Sequence, residues 1–172
     1  MITRDKYLTS DEVNLLEMSF ERYARSSPRD VLFLRLLLET GARASEALAL
    51  TGRDVNTTTR SIYLRGVKGS FDREIPLRET TCRSMEALLH ENHPLERRLF
   101  PFSYPRAYQI WQMYRPVRKK LHSLRHTFAI ELYRRTRDLK LVQLALGHRS
   151  INSTMVYLNF QYSVEELRKV IA

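Results

Sequence analysis

Apolar positions recur at intervals of three and four along most of the chain, the period of a helix buried on one side. Val13, Leu16, Phe20 and Tyr23 line up in this way. Thr9 and Glu12 just before them form a T-x-x-E capping box. Ser27-Pro28 starts a second helix, with proline at its first position, running through the apolar VLFLRLLLE to Thr40-Gly41. Glycine there supplies the C-terminal cap. Ala44–Leu50 restarts as a short helix. The period then changes. Ser61–Arg65 alternates as a strand does, and Arg73–Leu77 reads as its partner, with Pro76 placing it at a sheet edge. Gly66–Asp72 is the hairpin loop. Helices resume over Glu79–Glu91 and Pro105–Arg118, and Leu99-Phe100 between them reads as a short third strand. The last third predicts helices at His122–Arg134, Leu139–Leu146, Ile151–Leu158 and Val164–Ile171, the last capped by Ser163 and Glu166. The expected class is mainly α with a small antiparallel β-sheet or hairpin (α+β).

Length and composition narrow the setting. A chain of 172 residues suits a single domain able to bury its own core. The longest apolar run, Val31–Leu38, is broken by Arg35 and falls short of the ~20 residues that span a bilayer. The opening MITRDKYLTSDEV lacks the apolar stretch of a signal peptide. Cys82 is a lone cysteine, which leaves no internal disulfide and no Cys-rich zinc site. The expected setting is cytoplasmic. Charge then points to a partner. Lys and Arg number 29 against 19 acidic residues, a net charge of +10. Such an excess favours a polyanion, most often nucleic acid. No basic helix with a lipid-facing aromatic stripe stands out, so no membrane partner is expected.

Several polar residues stand where packing alone would not require them. Arg43 sits at a turn between two apolar helices, costly if buried without an anion and ordinary if exposed. Glu46 reads either as a brace for Arg43 or as a surface glutamate. Lys68 is in the hairpin loop, where a solvated lysine is common. His122 and Arg125, three apart in HSLRHTFAIEL, share a helix face. His122 and His126 have metal-pair spacing, yet Ser123 stands where a zincin needs glutamate and no cysteine cluster adds ligands. His126 is instead expected to pack or hydrogen-bond inside the helical bundle. His148 follows Leu146-Gly147 at a helix end. Tyr157 comes nine residues later, and a lone helical tyrosine is usually core or rim.

Order and spacing say more than any one of these residues. The chain resembles the catalytic domain of the tyrosine recombinases, the phage integrase family. TGARASEALAL is similar to the family's first arginine motif through Arg43, and VKGSFDREIPL to its β-hairpin lysine motif through Lys68. HSLRH matches the H-x-x-R box through His122 and Arg125, and LGHRSINSTMVY the final box through His148 and Tyr157. The resemblance runs from Tyr7 to about Val170. It implies the tyrosine recombinase catalytic-domain fold over residues 1–172, with the family's separate N-terminal core-binding domain absent. That leaves either a fragment of a longer protein or a compact member like the fimbrial DNA invertases.

The resemblance also implies a reaction. Tyr157 would be the nucleophile, forming a covalent 3′-phosphotyrosine that divides one hard transfer into two easier ones. Arg43 and Arg125 can clamp a phosphate through permanently charged hydrogen bonds. His122 and His148 can add donors, and one of them can accept the tyrosine proton, an imidazole titrating near neutrality. Flanking cations are expected to favour the ionised phenol. The family implies Lys68 as general acid for the departing 5′-oxygen. No metal, cofactor or ATP is called for. The implied partner is double-stranded DNA, bound by a homotetramer that is monomeric when free. The last helix is expected to dock either on its own chain or on a neighbouring subunit, and the basic run RPVRKK to touch the DNA backbone or simply face solvent. Tyr162 is a rival nucleophile outside the motif spacing, and Tyr133 reads as core or rim. Two other activities use related features: a non-catalytic DNA-binding regulator of the same fold, and DNA relaxation of the type IB topoisomerase kind.

Overall fold

The computed structural model describes residues 2–67, 70–90, 94–158, 168 and 171. Helices dominate, and a three-stranded antiparallel sheet lies among them. The predicted caps are in place. Helix α1 (Ser10–Tyr23) opens on the Thr9 box, where the Thr9 hydroxyl accepts from the Glu12 backbone N–H and the Glu12 carboxylate accepts from that of Thr9 at 2.8 Å. Helix α2 (Pro28–Thr40) begins at proline and ends at Gly41 with φ +63°. A side chain at Gly41 would also meet the Phe128 ring.

α2 is the axis of the main core. Val31, Leu32, Phe33, Leu34, Leu36, Leu37 and Leu38 are all buried, too many for one stripe, so the helix is covered on several sides. Full burial of each such side chain is worth about 1.5–3 kcal/mol. Phe33 meets Phe100 and Phe102 edge to face at 5.3 and 5.8 Å. Helices α1, α3 (Ala44–Ala49) and α4 (Glu79–His90) pack on α2, as does α6 (Ser123–Thr136).

The sheet has the order β1 (Val55–Asn56), β2 (Ser61–Leu64), β3 (Arg73–Pro76). The register pairs Ile62 with Ile75 and Leu64 with Arg73, and Pro76 stands on an edge strand as predicted. The third strand is not at Leu99-Phe100. It is Val55–Asn56; near Leu99 there is only a single Thr51–Arg98 bridge, with the Leu99 N–H on the Leu50 carbonyl at 2.9 Å. Helix α5 (Tyr104–Tyr114) stops before the predicted Arg118, because Pro116 holds Arg115 extended at ψ 133°. The RPVRKK run that follows is partly structural. Lys119 is largely buried and donates to the Tyr7 carbonyl at 2.7 Å and to Glu12 at 2.5 Å.

A second, smaller core joins the start of the chain to its later helices. Ile2 and Tyr7 pack with Ala129 and Ile130 of α6, Val142 and Leu146 of α7 (Leu139–Leu146), and Tyr157. Tyr133 packs against this cluster from its rim. Helix α8 is shorter than predicted, Asn152–Met155, with turns over 156–158. Lys68, Tyr162 and the Ser163–Glu166 cap lie outside the described residues. No helix among the described residues is long and apolar enough to cross a membrane.

Candidate active site

Glu46 is the hub of the site. It lies in the first turn of α3, only 2% exposed, and binds three arginines. Its carboxylate accepts from the Arg43 backbone N–H at 2.7 Å and from Arg43 Nη1 at 3.1 Å. Arg73 on β3 forms a two-pronged pair with it, at 3.2 and 2.8 Å. Arg125 Nη1 stands 3.8 Å away. Burial pushes the Glu46 carboxyl up, but the hydrogen bonds and charge of Arg73, with help from Arg43 and Arg125, outweigh it and hold the group below the ordinary glutamate range. The brace role considered for Glu46 is the one observed, and the surface reading is not.

Arg125 projects from α6 and is held by main-chain carbonyls. Nη1 donates to Gly41 O at 2.6 Å and Nη2 to Leu146 O at 2.8 Å, so one guanidinium ties the end of α2 to the end of α7. Nη2 also meets His148 Nε2 at 3.1 Å. Burial, then the nearby charge of Arg43, brings the Arg125 pKa down to about 10, which leaves it cationic at neutral pH. A guanidinium can only donate, so His148 Nε2 accepts and Nδ1 carries the proton, donated to Thr154 Oγ1 at 2.9 Å. Burial and then the charge of Arg125 push His148 down to about 4. His148 is thus neutral near pH 7, not half-titrated as expected from a free imidazole.

The β2–β3 hairpin is fixed to this wall at its far end. Ser70 bridges to His148, and the Phe71 N–H donates to Gly147 O at 2.9 Å. The Ser70 hydroxyl takes a hydrogen bond from Arg43 Nη1. Gly147 closes α7 at φ +68°, and a Cβ there would lie 2.7 Å from Phe71 O. Arg43, His122 and Arg125 line one cavity of about 360 Å³, with Ser45, Val67 and Tyr104 on its wall.

Tyr157 lies on the neighbouring side, 2% exposed and seated in the smaller core. Its hydroxyl meets His126 Nδ1 at 3.0 Å. The His126 ring in turn meets His122 edge to face, centroids 4.7 Å apart. Burial raises the phenol to about 12, although Arg125 and Arg43 pull the other way. The cations were expected to favour phenolate; desolvation outweighs them in the free protein, and Tyr157 rests protonated. His126 is pushed to about 4 by burial, then by His122, Arg125 and Lys6. His122 keeps an exposed edge, yet burial of the rest and the charges of Arg125 and Arg43 lower it as well.

Five of the six residues singled out in the sequence, Arg43, His122, Arg125, His148 and Tyr157, therefore belong to one connected patch, and Lys68 falls outside the described residues. Arg73 was missed as a site residue. Its signal was the strand alternation, which places Arg73 on the same inward face as Ile75. A sequence model of the phage integrase family matches residues 6–163. The chain belongs to the phage integrase family. Among its phage integrase relatives, the tyrosine recombinase XerA of Pyrococcus horikoshii is 31% identical, the match covering 96% of this chain and 60% of that protein. The crystal structure of XerA recombinase superposes with a TM-score of 0.77 at 25% identity, over 95% of this chain and 61% of that one. A XerH site-specific recombinase bound to its difH substrate gives 0.71 at 26% identity, over 97% of this chain and 54% of that one. The chain spans about 60% of the length of the curated relatives it matches.

Proposed function

We propose that this chain is the catalytic unit of a site-specific DNA recombinase, cutting and rejoining strands through a 3′-phosphotyrosine without metal or ATP. The observation that carries this reading is the juxtaposition of a braced arginine pair lining a cavity with a buried tyrosine on its flank. The matched relatives bear recombinase names, and one of them was solved on its DNA substrate. Arg43 and Arg125 hold the scissile phosphate and offset charge on its non-bridging oxygens. His122 lies beside them on the cavity wall as a further donor, and His148 keeps Arg125 aimed. Tyr157 oxygen attacks phosphorus and the bond to the 5′-oxygen breaks. Lys68 protonates that oxygen, a role resting on the hairpin motif. A 5′-hydroxyl from a second duplex reverses the step, so the linkage energy is conserved. Double-stranded DNA is the partner, and the active assembly is a homotetramer on it.

Trapping decides the matter. Sites selected from random or host-element DNA, rebuilt as nicked suicide duplexes, should yield a covalent adduct with the unaltered protein and none with Tyr157→Phe. Equal failure of both on bound sites would leave only a DNA-binding regulator. Relaxation of plasmid lacking any such site would favour topoisomerase action instead.

A further inference from the structure

We infer that His126, rather than His122 or His148, takes the hydroxyl proton of Tyr157 as its oxygen attacks phosphorus, an assignment that rests on the recombinase reading above. Position is the first reason: His126 Nδ1 is the ring nitrogen at hydrogen-bond distance from the Tyr157 oxygen, 3.0 Å. The second is the placing of the other two rings. Both nitrogens of His148 are engaged, Nε2 accepting from Arg125 and Nδ1 donating to Thr154, so no lone pair of that ring is left for a phenol. His122 stands on the cavity wall with Arg43 and Arg125, and its ring meets that of His126 edge-on.

The protonation states suit the assignment. Tyr157 rests neutral, so its O–H donates, and His126 accepts at Nδ1 with its own proton on Nε2. Burial, then His122, Arg125 and Lys6 around the ring, keep it neutral, with its pKa at about 4 and a lone pair free. That environment makes a poor base in the empty site. A phosphodiester held by Arg43 and Arg125 in the cavity that His122 lines would offset the cations acting on the ring across that His122 contact, which raises its proton affinity. Formation of the O–P bond acidifies the phenol in the same step. The O–H bond of Tyr157 breaks, its oxygen bonds phosphorus, and the P–O5′ bond opens. The phenol proton goes to His126, and the leaving oxygen takes its own from the separate acid. On religation His126 returns the proton to the phenol.

The test uses the suicide duplex with His126→Ala and His126→Asn. Asparagine can place an acceptor oxygen near the position of Nδ1 but cannot take up a proton. Both variants should lose adduct formation by about 100-fold or more. Both should recover when Tyr157 is replaced by a fluorinated tyrosine whose hydroxyl ionises near neutral pH. Wild-type rates with His126→Asn, or no recovery with the fluorinated residue in folded protein, would overturn the assignment. Failure of the unaltered protein to form any adduct would instead sink the recombinase reading. Nitrogen NMR of the free, unaltered chain supplies a readout independent of DNA: His126 should show a bare Nδ1 and a protonated Nε2, and the opposite tautomer would overturn the proposal.

Discussion

Arg125 and Tyr157 are equally buried, each 2% exposed, but they meet burial by opposite means. Arg125 stays charged because two carbonyls accept from it and Glu46 lies 3.8 Å away. Tyr157 stays neutral, its hydroxyl on a neutral imidazole. On the recombinase reading proposed above, the arginine side is already assembled in the free protein, so a phosphate would enter with little reorganisation. On the same reading the tyrosine side would stay protonated until a phosphate changed its surroundings. The free protein does not expose a phenolate.

Substitutions on either side should separate these two plans. Tyr157→Phe is expected to reduce adduct formation to background while changing unfolding free energy by only about 1 kcal/mol, one hydrogen bond's worth. Urea denaturation beside the trapping assay checks both. Glu46→Gln should do the reverse to stability. It removes the anion between buried Arg73 and Arg125, at a cost of about 3–5 kcal/mol. A loss under 1 kcal/mol in the same denaturation experiment would show that the arginines do not depend on that anion. Gly147→Ala forces a side chain onto φ +68° against Phe71 O, for about 1–3 kcal/mol. A chymotrypsin cleavage rate at Phe71 that rises with the substitution would show the hairpin coming loose.

The pH dependence bears on both sides. His126 and His148 have folded pKa values near 4, below the ordinary 6.5, and His122 is also lowered. Unfolded chains therefore take up protons first as pH falls, and the stability due to these neutral rings is fully present above about 6.5 and lost toward about 4. Glu46, also lowered, adds its own loss only further down, below the ordinary glutamate range. His148→Gln should flatten the acid limb in denaturation curves between pH 7 and 4, and Glu46→Gln only its continuation below the ordinary glutamate value of 4.5. The smallest effect is expected far from both regions: Thr9→Ala breaks the α1 box and costs about 1 kcal/mol by the same measurement.

Local chemistry made most of this fold legible. Boxes, prolines and glycines mark helix ends because each satisfies or removes a particular backbone group, and α1, α2 and α7 begin or end where those residues stand. The third strand was misplaced for a related reason. Val55–Asn56 is two residues long and cannot display an alternation, whereas apolar Leu99-Phe100 looks like a strand but is buried as loop. In the site, Arg43, His122, Arg125, His148 and Tyr157 could be picked out by motif. Their protonation could not, since it depends on how deeply each is buried. The pairing of His126 with Tyr157 spans 31 residues and depends on how the turns after α6 and α7 bring the chain back, a geometry no local period encodes.

The contacts of Ser70 and Phe71 with the Gly147–His148 turn make two sequence-distant segments a single mechanical body. Displacing Ser70 and Phe71 would therefore disturb His148 and, through its 3.1 Å contact, Arg125. A load on Ser70 and Phe71 would thus be felt at the wall that Arg43 and Arg125 form.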